Sequence, residues 1–217
     1  MSGYPRSPKT LKGGIVLLNP QNSNIERIIK LQYNPDNLTR SLQVQSAVEG
    51  GDRSEALRLT GPPVETYNLE AEIDATDQLE VGDKNATESG ISPIMSALEM
   101  ILYPSSSQLF ANNTLAQSGT IEITPLEAPL TLFIWNKNRV VPIRITEFNI
   151  TEEAFDVNLN PIRARISLGM RVLSVSDLGF DHKGGNLYMN YQQAKERLAT
   201  LYTNGSLNDF GINASAL

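Results

Sequence analysis

The sequence predicts a mainly β fold: a barrel-like sandwich of two packed antiparallel sheets, with one internal helix and a C-terminal helical extension. Three observations lead to this prediction. Residues 141–174 alternate between apolar and polar side chains, several shorter runs alternate between turn residues, and one internal stretch has helical spacing. Because strands with one apolar face need a second layer to cover that face, we predict a sandwich.

The stretch at residues 141–174 contains the longest predicted strand. In its second half, the apolar positions are Ile162, Ala164, Ile166, Leu168, Met170 and Val172, and the positions between them are Arg163, Arg165, Ser167, Gly169 and Arg171. Successive side chains of a strand point to opposite faces, so this pattern predicts a half-buried strand. The alternation changes phase near Glu147, where we predict a bulge or bend. Turn residues at 158–161 predict a hairpin.

Shorter strands and loops complete the predicted β domain. We predict strands at residues 14–18, 26–33, 38–44, 64–74, 121–123 and 129–135, and loops at residues 47–63, 75–90 and 105–118. Arg40 falls among the apolar positions of its strand. An arginine at such a position predicts that the strand lies at a sheet edge or at a subunit contact.

Two stretches have the period of a helix. Residues 91–103 (ISPIMSALEMILY) place Ile94, Leu98 and Ile101 on one face, and Pro104 ends the pattern. Residues 187–202 show a second apolar stripe. We therefore divide the chain into an N-terminal arm at residues 1–11, a β domain at 12–176 and a C-terminal extension at 177–217.

Composition and motifs give no support for an enzyme. The chain has 217 residues and a net charge of -6, which does not favour nucleic acid as a partner. Its apolar runs are too short to span a bilayer, and it has no cysteine. The single histidine, His182, has no partner at catalytic spacing, and the adjacent Glu152 and Glu153 are typical of a solvated turn. We predict no catalytic residue, no metal ligand and no cofactor.

Several blocks of sequence, in order, are similar to one known family. They are KGG at residues 12–14, LQYNPDNLTRSLQ at 31–43, GPPVETYNLEAEIDATD at 61–77, GISPIMSALEMILYP at 90–104 and PLTLFIWNKNRVVPIRITEFNITEEAFDVNLNPIRARISLGMRVLS at 129–174. With these blocks the chain resembles the tube-initiator, or tube-like baseplate, family of contractile injection systems, the phage-tail-like particles of bacteria. The most distinctive elements are NP-x-x-L-x-R, with Asn34, Pro35 and Arg40, and TEEAFDVNLNPIRA.

The resemblance implies a fold like that of tail-tube subunits and a structural role in a baseplate. Six copies would form a ring at the base of the inner tube, sit on the spike and template the first tube hexamer. The implied partners are the inner-tube protein, the spike protein and other baseplate proteins. The implied location is the bacterial cytoplasm during assembly, and then a particle that is released or membrane-anchored, without direct membrane insertion by this chain.

One departure and two alternatives accompany the resemblance. Many family members continue into a LysM-type module, but the chain after Ser174 is too short and differently patterned, so wall binding is not implied. The alternatives are a main-shaft inner-tube subunit and, in a different class, a wall-degrading baseplate enzyme. We predict that Arg163, Arg165 and Arg171 line a channel or a subunit contact, and that Arg40, Asn34 and Pro35 belong to the same interaction surface.

Overall fold

The computed structural model describes residues 10–19, 22–46, 58–117, 128–203 and 205–213. Within these ranges the chain is mainly β, as predicted. The described strands form one antiparallel sheet of seven strands in the order β2-β1-β5-β6-β7-β4-β3. Their bounds are Gly14–Leu18 (β1), Ile25–Lys30 (β2), Leu38–Gln43 (β3), Val64–Asp74 (β4), Leu130–Asn136 (β5), Arg139–Phe155 (β6) and Pro161–Val172 (β7). The predicted strand at 121–123 lies outside the described residues, as do most of the 47–63 loop and of the 1–11 arm.

The sheet curls until its two halves face each other. Adjacent strands lie about 4.8 Å apart, so β1 and β4 would be about 19 Å apart in a flat sheet with three strands between them. Instead, Ile15 of β1 and Ala71 of β4 line one small cavity. The side-chain amide of Gln32, just after β2, also pairs with the backbone N–H and C=O of Asp74 at 2.9 and 2.6 Å. The predicted layers are therefore halves of one continuous sheet in the described chain.

Strand β6 connects the two halves. Its first part pairs with β5 as far as Ile143, and from Ile143 onward it pairs with β7. The register shifts between Ile145 and Glu147, which confirms the bulge predicted from the change of phase. A bulge increases the local twist, and here it lies where the strand passes from one half of the sheet to the other.

The core has the alternation read from the sequence. Residues of β4 and β7 at every second position are buried, and the others face outward. The core also takes in residues of β1, β2, β5 and β6 and of the helices. Its most buried large side chains include Tyr67, Phe133, Ile166 and Met170. We call the opposite surface of β3, β4, β6 and β7 the outer face.

The structure contains more helix between β4 and β5 than the sequence pattern predicted. The predicted helix at 91–103 is observed as α3, and the described residues on either side form three further helices where we expected loops. The bounds are Thr76–Glu80 (α1), Lys84–Ser89 (α2), Ser92–Glu99 (α3) and Ser106–Gln117 (α4). The first two have at most six residues each, too few to show a period. None of the described residues of α4 is buried, so it has no apolar stripe to recognise.

The C-terminal extension is helical, as predicted, but its long helix begins earlier. Short helix α5 (Val175–Leu178) leads to α6 (Lys183–Ala199), whereas the pattern predicted residues 187–202. His182 caps α6 by accepting a hydrogen bond from Gly184 N–H at 3.0 Å. A Cβ on Gly185 would lie 1.9 Å from the carbonyl oxygen of Gly179, so only glycine fits this approach. Among the described residues, no helix has the length and apolar character needed to cross a membrane.

Candidate interaction surface

The three candidate arginines of β7 lie on the outer face, as the alternation predicted. Arg163 and Arg165 are exposed and Arg171 is partly exposed. Each makes an ion pair with a carboxylate of the same chain: Arg163 with Asp74 and Glu72, Arg165 with Glu153, and Arg171 with Asp177. We call these three arginines the row on β7. Its positive charges are largely balanced by carboxylates of the same molecule.

Arg163 makes the best-formed of these pairs. Its Nε donates to Oδ2 of Asp74 at 2.8 Å, and the two residues lie opposite each other on β7 and β4. Thr76 donates to the same carboxylate from both its backbone N–H and its hydroxyl. Burial raises the pKa of Asp74, but the hydrogen bonds from Thr76 and Arg163 outweigh it and hold the pKa below its ordinary value.

Arg171 is joined to the start of the C-terminal extension. Its Nη2 donates to Asp177 at 2.8 Å, and the other oxygen of Asp177 accepts from the backbone and the hydroxyl of Ser174. Burial raises the pKa of Asp177, yet the bonds from Ser174 and Arg171 leave it below its ordinary value. Across the strand pair, Arg171 faces Arg144 of β6, and like charges directly opposite each other repel. Asp177 supplies the compensating charge.

Arg165 is the most exposed of the three. Its Nη2 lies 3.4 Å from Oε1 of Glu153, with 60% of the arginine side chain accessible to solvent. Exposed ion pairs of this kind contribute about 0–1 kcal/mol to stability, because water screens the charges and both side chains lose freedom. Arg165 is therefore available for an external partner at little cost to the fold.

Arg40 has different surroundings. Its strand, β3, is at an edge of the described sheet, which confirms the edge position predicted from Arg40. The guanidinium points toward the chain's own buried Glu65, with Nη1 3.8 Å from Oε1, and also lies 3.5 Å from the hydroxyl of Tyr191. Arg40 thus contributes to an internal cluster rather than to the row on β7.

We name this internal group the Glu65 cluster: Arg40, Glu65, Tyr67, Tyr191 and Lys195. Glu65 is only 2% exposed, and its Oε1 accepts hydrogen bonds from Tyr67 and Tyr191 at 2.7 and 2.6 Å. The two tyrosine hydroxyls are 2.9 Å apart, and Lys195 lies 3.7 Å from the second carboxylate oxygen. The cluster joins β3, β4 and α6, so it fastens the C-terminal helix to the sheet.

Burial shapes the electrostatics of the Glu65 cluster. It raises the pKa of the Tyr67 and Tyr191 hydroxyls, and their hydrogen bonds with Glu65 raise both further. Burial also lowers the pKa of Lys195, although the attraction of Glu65 opposes that effect. Both tyrosines therefore remain neutral hydrogen-bond donors to the carboxylate at neutral pH.

Sequence reasoning missed most of this cluster, although one signal was present. In the sequence of β4, Tyr67, Leu69 and Ala71 occupy alternate apolar positions, and Glu65 has the same parity two residues before Tyr67. A carboxylate in phase with buried residues needs a partner, because an unpaired buried charge is costly. The sequence could have indicated that Glu65 has partners, but it could not show that they lie on the C-terminal helix.

Asn34 and Pro35 lie in the turn between β2 and β3. Asn34 fastens the start of the described chain: its Oδ1 accepts from Gly13 N–H at 3.0 Å and its Nδ2 donates to the carbonyl of Leu11 at 2.7 Å. Both turn residues and Arg165 line the same open groove on the outer face. The structure thus brings together three of the six candidate residues, while Arg163, Arg171 and Arg40 lie outside this groove.

The residues considered for catalysis do not form a reactive group. On β6, Glu152 and Glu153 are paired opposite Ala164 and Arg163, so their side chains point to opposite faces. Glu153 interacts with Arg165, and Nδ1 of His182 caps α6. Within the described ranges, no group of three or more His, Cys, Asp or Glu side chains could hold a metal ion.

Comparisons with known proteins add two weak structural similarities. No family model matches the chain, and no curated protein matches it. A chain from the tail of an empty gene transfer agent particle with C6 symmetry is 12% identical, with a TM-score of 0.28, over 74% of this chain and 90% of that chain. A chain from the virion of the native gene transfer agent particle is 13% identical, with a TM-score of 0.26, over the same shares. Similarities at these scores assign neither a family nor a function.

Proposed function

We propose that this chain is a structural baseplate component of a contractile injection system. Six copies form a ring at the base of the inner tube, join the spike to the tube and template tube assembly, in contact with other baseplate proteins. Assembly takes place in the bacterial cytoplasm, and the ring then belongs to a phage-tail-like particle. The proposal includes no catalytic role. It is supported by the ordered sequence blocks described above and by the two edges of the sheet.

The observation that carries the proposal is the open sheet. Within the described residues, β2 and β3 each pair on one side only, so each presents a row of backbone N–H and C=O groups. Ile28 on β2 and Leu42 on β3 are 65% and 49% exposed, respectively. Long exposed edges with apolar side chains favour pairing with another chain. Because the two edges differ, a contact between them is head-to-tail, and such contacts form a ring when the rotation from one copy to the next closes the circle.

The outer face supports an assembly role in a second way. Arg144 and Arg171 lie opposite each other on β6 and β7, and only Arg171 has a carboxylate partner among the described residues. Arg165 and its partner Glu153 are both accessible. We propose that this face lines the channel of the ring or contacts a neighbouring subunit, where Arg144 would find an anionic partner.

The decisive experiment is electron microscopy of particles made with and without the chain. We expect tubes to be absent, or present but unanchored, when the chain is missing, because no first ring is available as a template. Normal particles would overturn the proposal. The number of copies per particle separates this role from that of a main-shaft subunit, since an initiator forms one ring and a shaft subunit forms many.

A matched pair of variants tests the role of the sheet edge. The backbone N–H of Asp74 points to the side of β4 where β3 lies, and so do those of Asn68 and Thr66, which have the same parity. These two residues are paired with Thr39 and Ser41, whose backbone groups therefore point toward β4. The N–H of the next residue, Leu42, points away from the sheet. Leu42→Pro removes that outward N–H and leaves the bonds between β3 and β4 in place. We expect Leu42→Pro to prevent ring formation and Leu42→Thr to permit it. Equal ring formation by both variants would rule out pairing through β3.

A further inference from the structure

The groove that Asn34, Pro35 and Arg165 share has an unpaired strand edge. It lies between the turn at residues 33–37 and the outward side chains of β4 and β7. The pairing of β3 with β4 ends at Leu38 opposite Leu69, so among the described residues no strand pairs with residues 70–73 of β4 on this side. A short length of β4 therefore borders the groove without a neighbouring strand.

The direction of the backbone groups along this edge follows from two hydrogen bonds. Ala75 N–H donates to the carbonyl of Ile162 on the β7 side, whereas the N–H and C=O of Asp74 pair with the side chain of Gln32 on the other side. Backbone groups alternate along a strand, so the N–H and C=O of Glu72 point the same way as those of Asp74. An extended peptide laid along the groove can pair with them, which is how sheets take up added strands.

The charges of the groove favour a cationic segment. Its lining contains the carboxylates of Asp36, Glu70 and Glu72 and one cation, Arg165. Glu72 interacts with Arg163, but Asp36 and Glu70 have no ion-pair partner within the part of the chain that the structure describes. An extended peptide with positive side chains would match both the open backbone and these two carboxylates.

Such a segment belongs to this chain and begins at the rim of the groove. Residues 1–9, which lie outside the described residues, include Arg6 and Lys9, and no acidic residue precedes Glu26. The described chain starts at Thr10, and Asn34 at the groove holds both Leu11 and Gly13. Residues 1–9 span up to about 30 Å when extended, and residues 70–73 of β4 occupy about 13 Å.

We propose that residues 1–9 bind in this groove of the same molecule as a short strand along residues 70–73 of β4. Glu72 supplies the backbone pairing, and the carboxylates of Asp36 and Glu70 attract the positive charges that Arg6 and Lys9 give the segment. The segment thereby completes the part of the sheet that β3 leaves open. This binding is independent of the proposed ring, so it can be tested on the isolated full-length chain.

Amide hydrogen exchange at Glu72 measures the occupancy of the groove. We expect Arg6→Glu combined with Lys9→Glu to reduce the protection of the Glu72 amide by about threefold to tenfold, since two exposed charge pairs are lost. The matched control is Glu80→Lys, an exposed charge reversal on α1 outside the groove lining, which leaves that protection unchanged. The amide of Ile166, in the core strand β7, reports that each variant remains folded.

A charge-swapped variant and a dilution series complete the test. Adding Asp36→Lys and Glu70→Lys to the two arm substitutions restores opposite charges, and we expect the Glu72 protection to return. Unchanged protection in the Arg6→Glu, Lys9→Glu variant would overturn the proposal. Protection that falls on dilution would also overturn it, because the occupant would then be a second copy of the chain.

Discussion

Two regions of this molecule pair arginine with carboxylate, one around a buried carboxylate and the other at the surface. In the Glu65 cluster the carboxylate is buried, and Arg40, Lys195 and two tyrosine hydroxyls surround it. In the row on β7, arginine and carboxylate both reach solvent, as with Arg165 and Glu153. Water is largely excluded from the Glu65 carboxylate, whereas it reaches both Arg165 and Glu153 and screens their charges. The difference indicates that the cluster holds the fold together, whereas Arg165, the most exposed member of the row, can take part in assembly at little cost to stability.

The largest expected effect is at the centre of the cluster. Glu65→Leu removes the acceptor of two tyrosine hydroxyls and the charge that balances Lys195, and we expect a loss of about 3 kcal/mol in the free energy of unfolding. Urea unfolding measures it, with Glu80→Leu on exposed α1 as the control, which should change stability by less than about 0.5 kcal/mol. Equal stability of the two variants would show that the buried cluster does not hold the fold.

The next effect separates the attachment of α6 from the stability of the sheet. Tyr191→Phe keeps the ring and removes the hydroxyl that bonds to Glu65 and Tyr67, so we expect a loss of about 1.5 kcal/mol. Hydrogen exchange should rise more in α6 than in β7, because the lost bonds join the helix to the sheet. Tyr202→Phe, at a side chain that is 77% exposed, is the control. Uniform destabilisation of α6 and β7 would contradict a separate attachment.

The third prediction concerns pH and the pair between Asp74 and Arg163. The pKa of Asp74 lies below its ordinary value of 3.8 in the folded chain. A depressed carboxyl pKa stabilises the fold above the unfolded value, and this contribution is lost as the pH falls below about 4 through the folded value. Asp74→Asn should cost about 1 kcal/mol at pH 7 and flatten the dependence of stability on pH below 4. Unfolding curves at pH 7 and 3 would contradict this if both proteins lost stability equally.

The smallest expected effect on stability is at Arg165. Arg165→Ala should change the free energy of unfolding by less than about 0.5 kcal/mol, because its pair with Glu153 is exposed. The same substitution should reduce ring formation, measured by particle counts in electron micrographs. Arg197→Ala, at an exposed position of α6, serves as the control for both measurements. A ring structure in which Arg163, Arg165 and Arg171 all point into bulk solvent outside the ring would contradict the proposed role of the row.

The strands were largely predictable from the sequence, and the additional helices were not. The parity of Ala164, Ile166 and Leu168 predicted which face of β7 is buried, and the change of phase at Glu147 predicted the bulge. Helix α4 carries no buried side chain among its described residues, so it has no apolar stripe to predict it. The start of α6 depends on a close approach between Gly185 and Gly179, which a periodic pattern cannot show.

The candidate site shows the same division. The sequence placed the arginine row on a polar face and Arg40 on an edge strand, because both assignments follow from local alternation. It did not indicate that Asp74, Glu153 and Asp177 neutralise the row. Nor did it show that Asn34 and Arg165 border one groove, since these residues belong to segments far apart in the chain.

By itself, the sequence determined the mainly β class, the buried face of each long strand, the bend in β6 and the helical end of the chain. These properties depend on neighbours a few residues apart, whose side chains are arranged by the two-residue and 3.6-residue periods. Only the tertiary structure decided that the two halves of the sheet curl together and that Tyr191 reaches Glu65 across 126 residues of sequence. Such contacts depend on how distant segments of the chain pack together, and the two-residue and 3.6-residue periods carry no information about that packing.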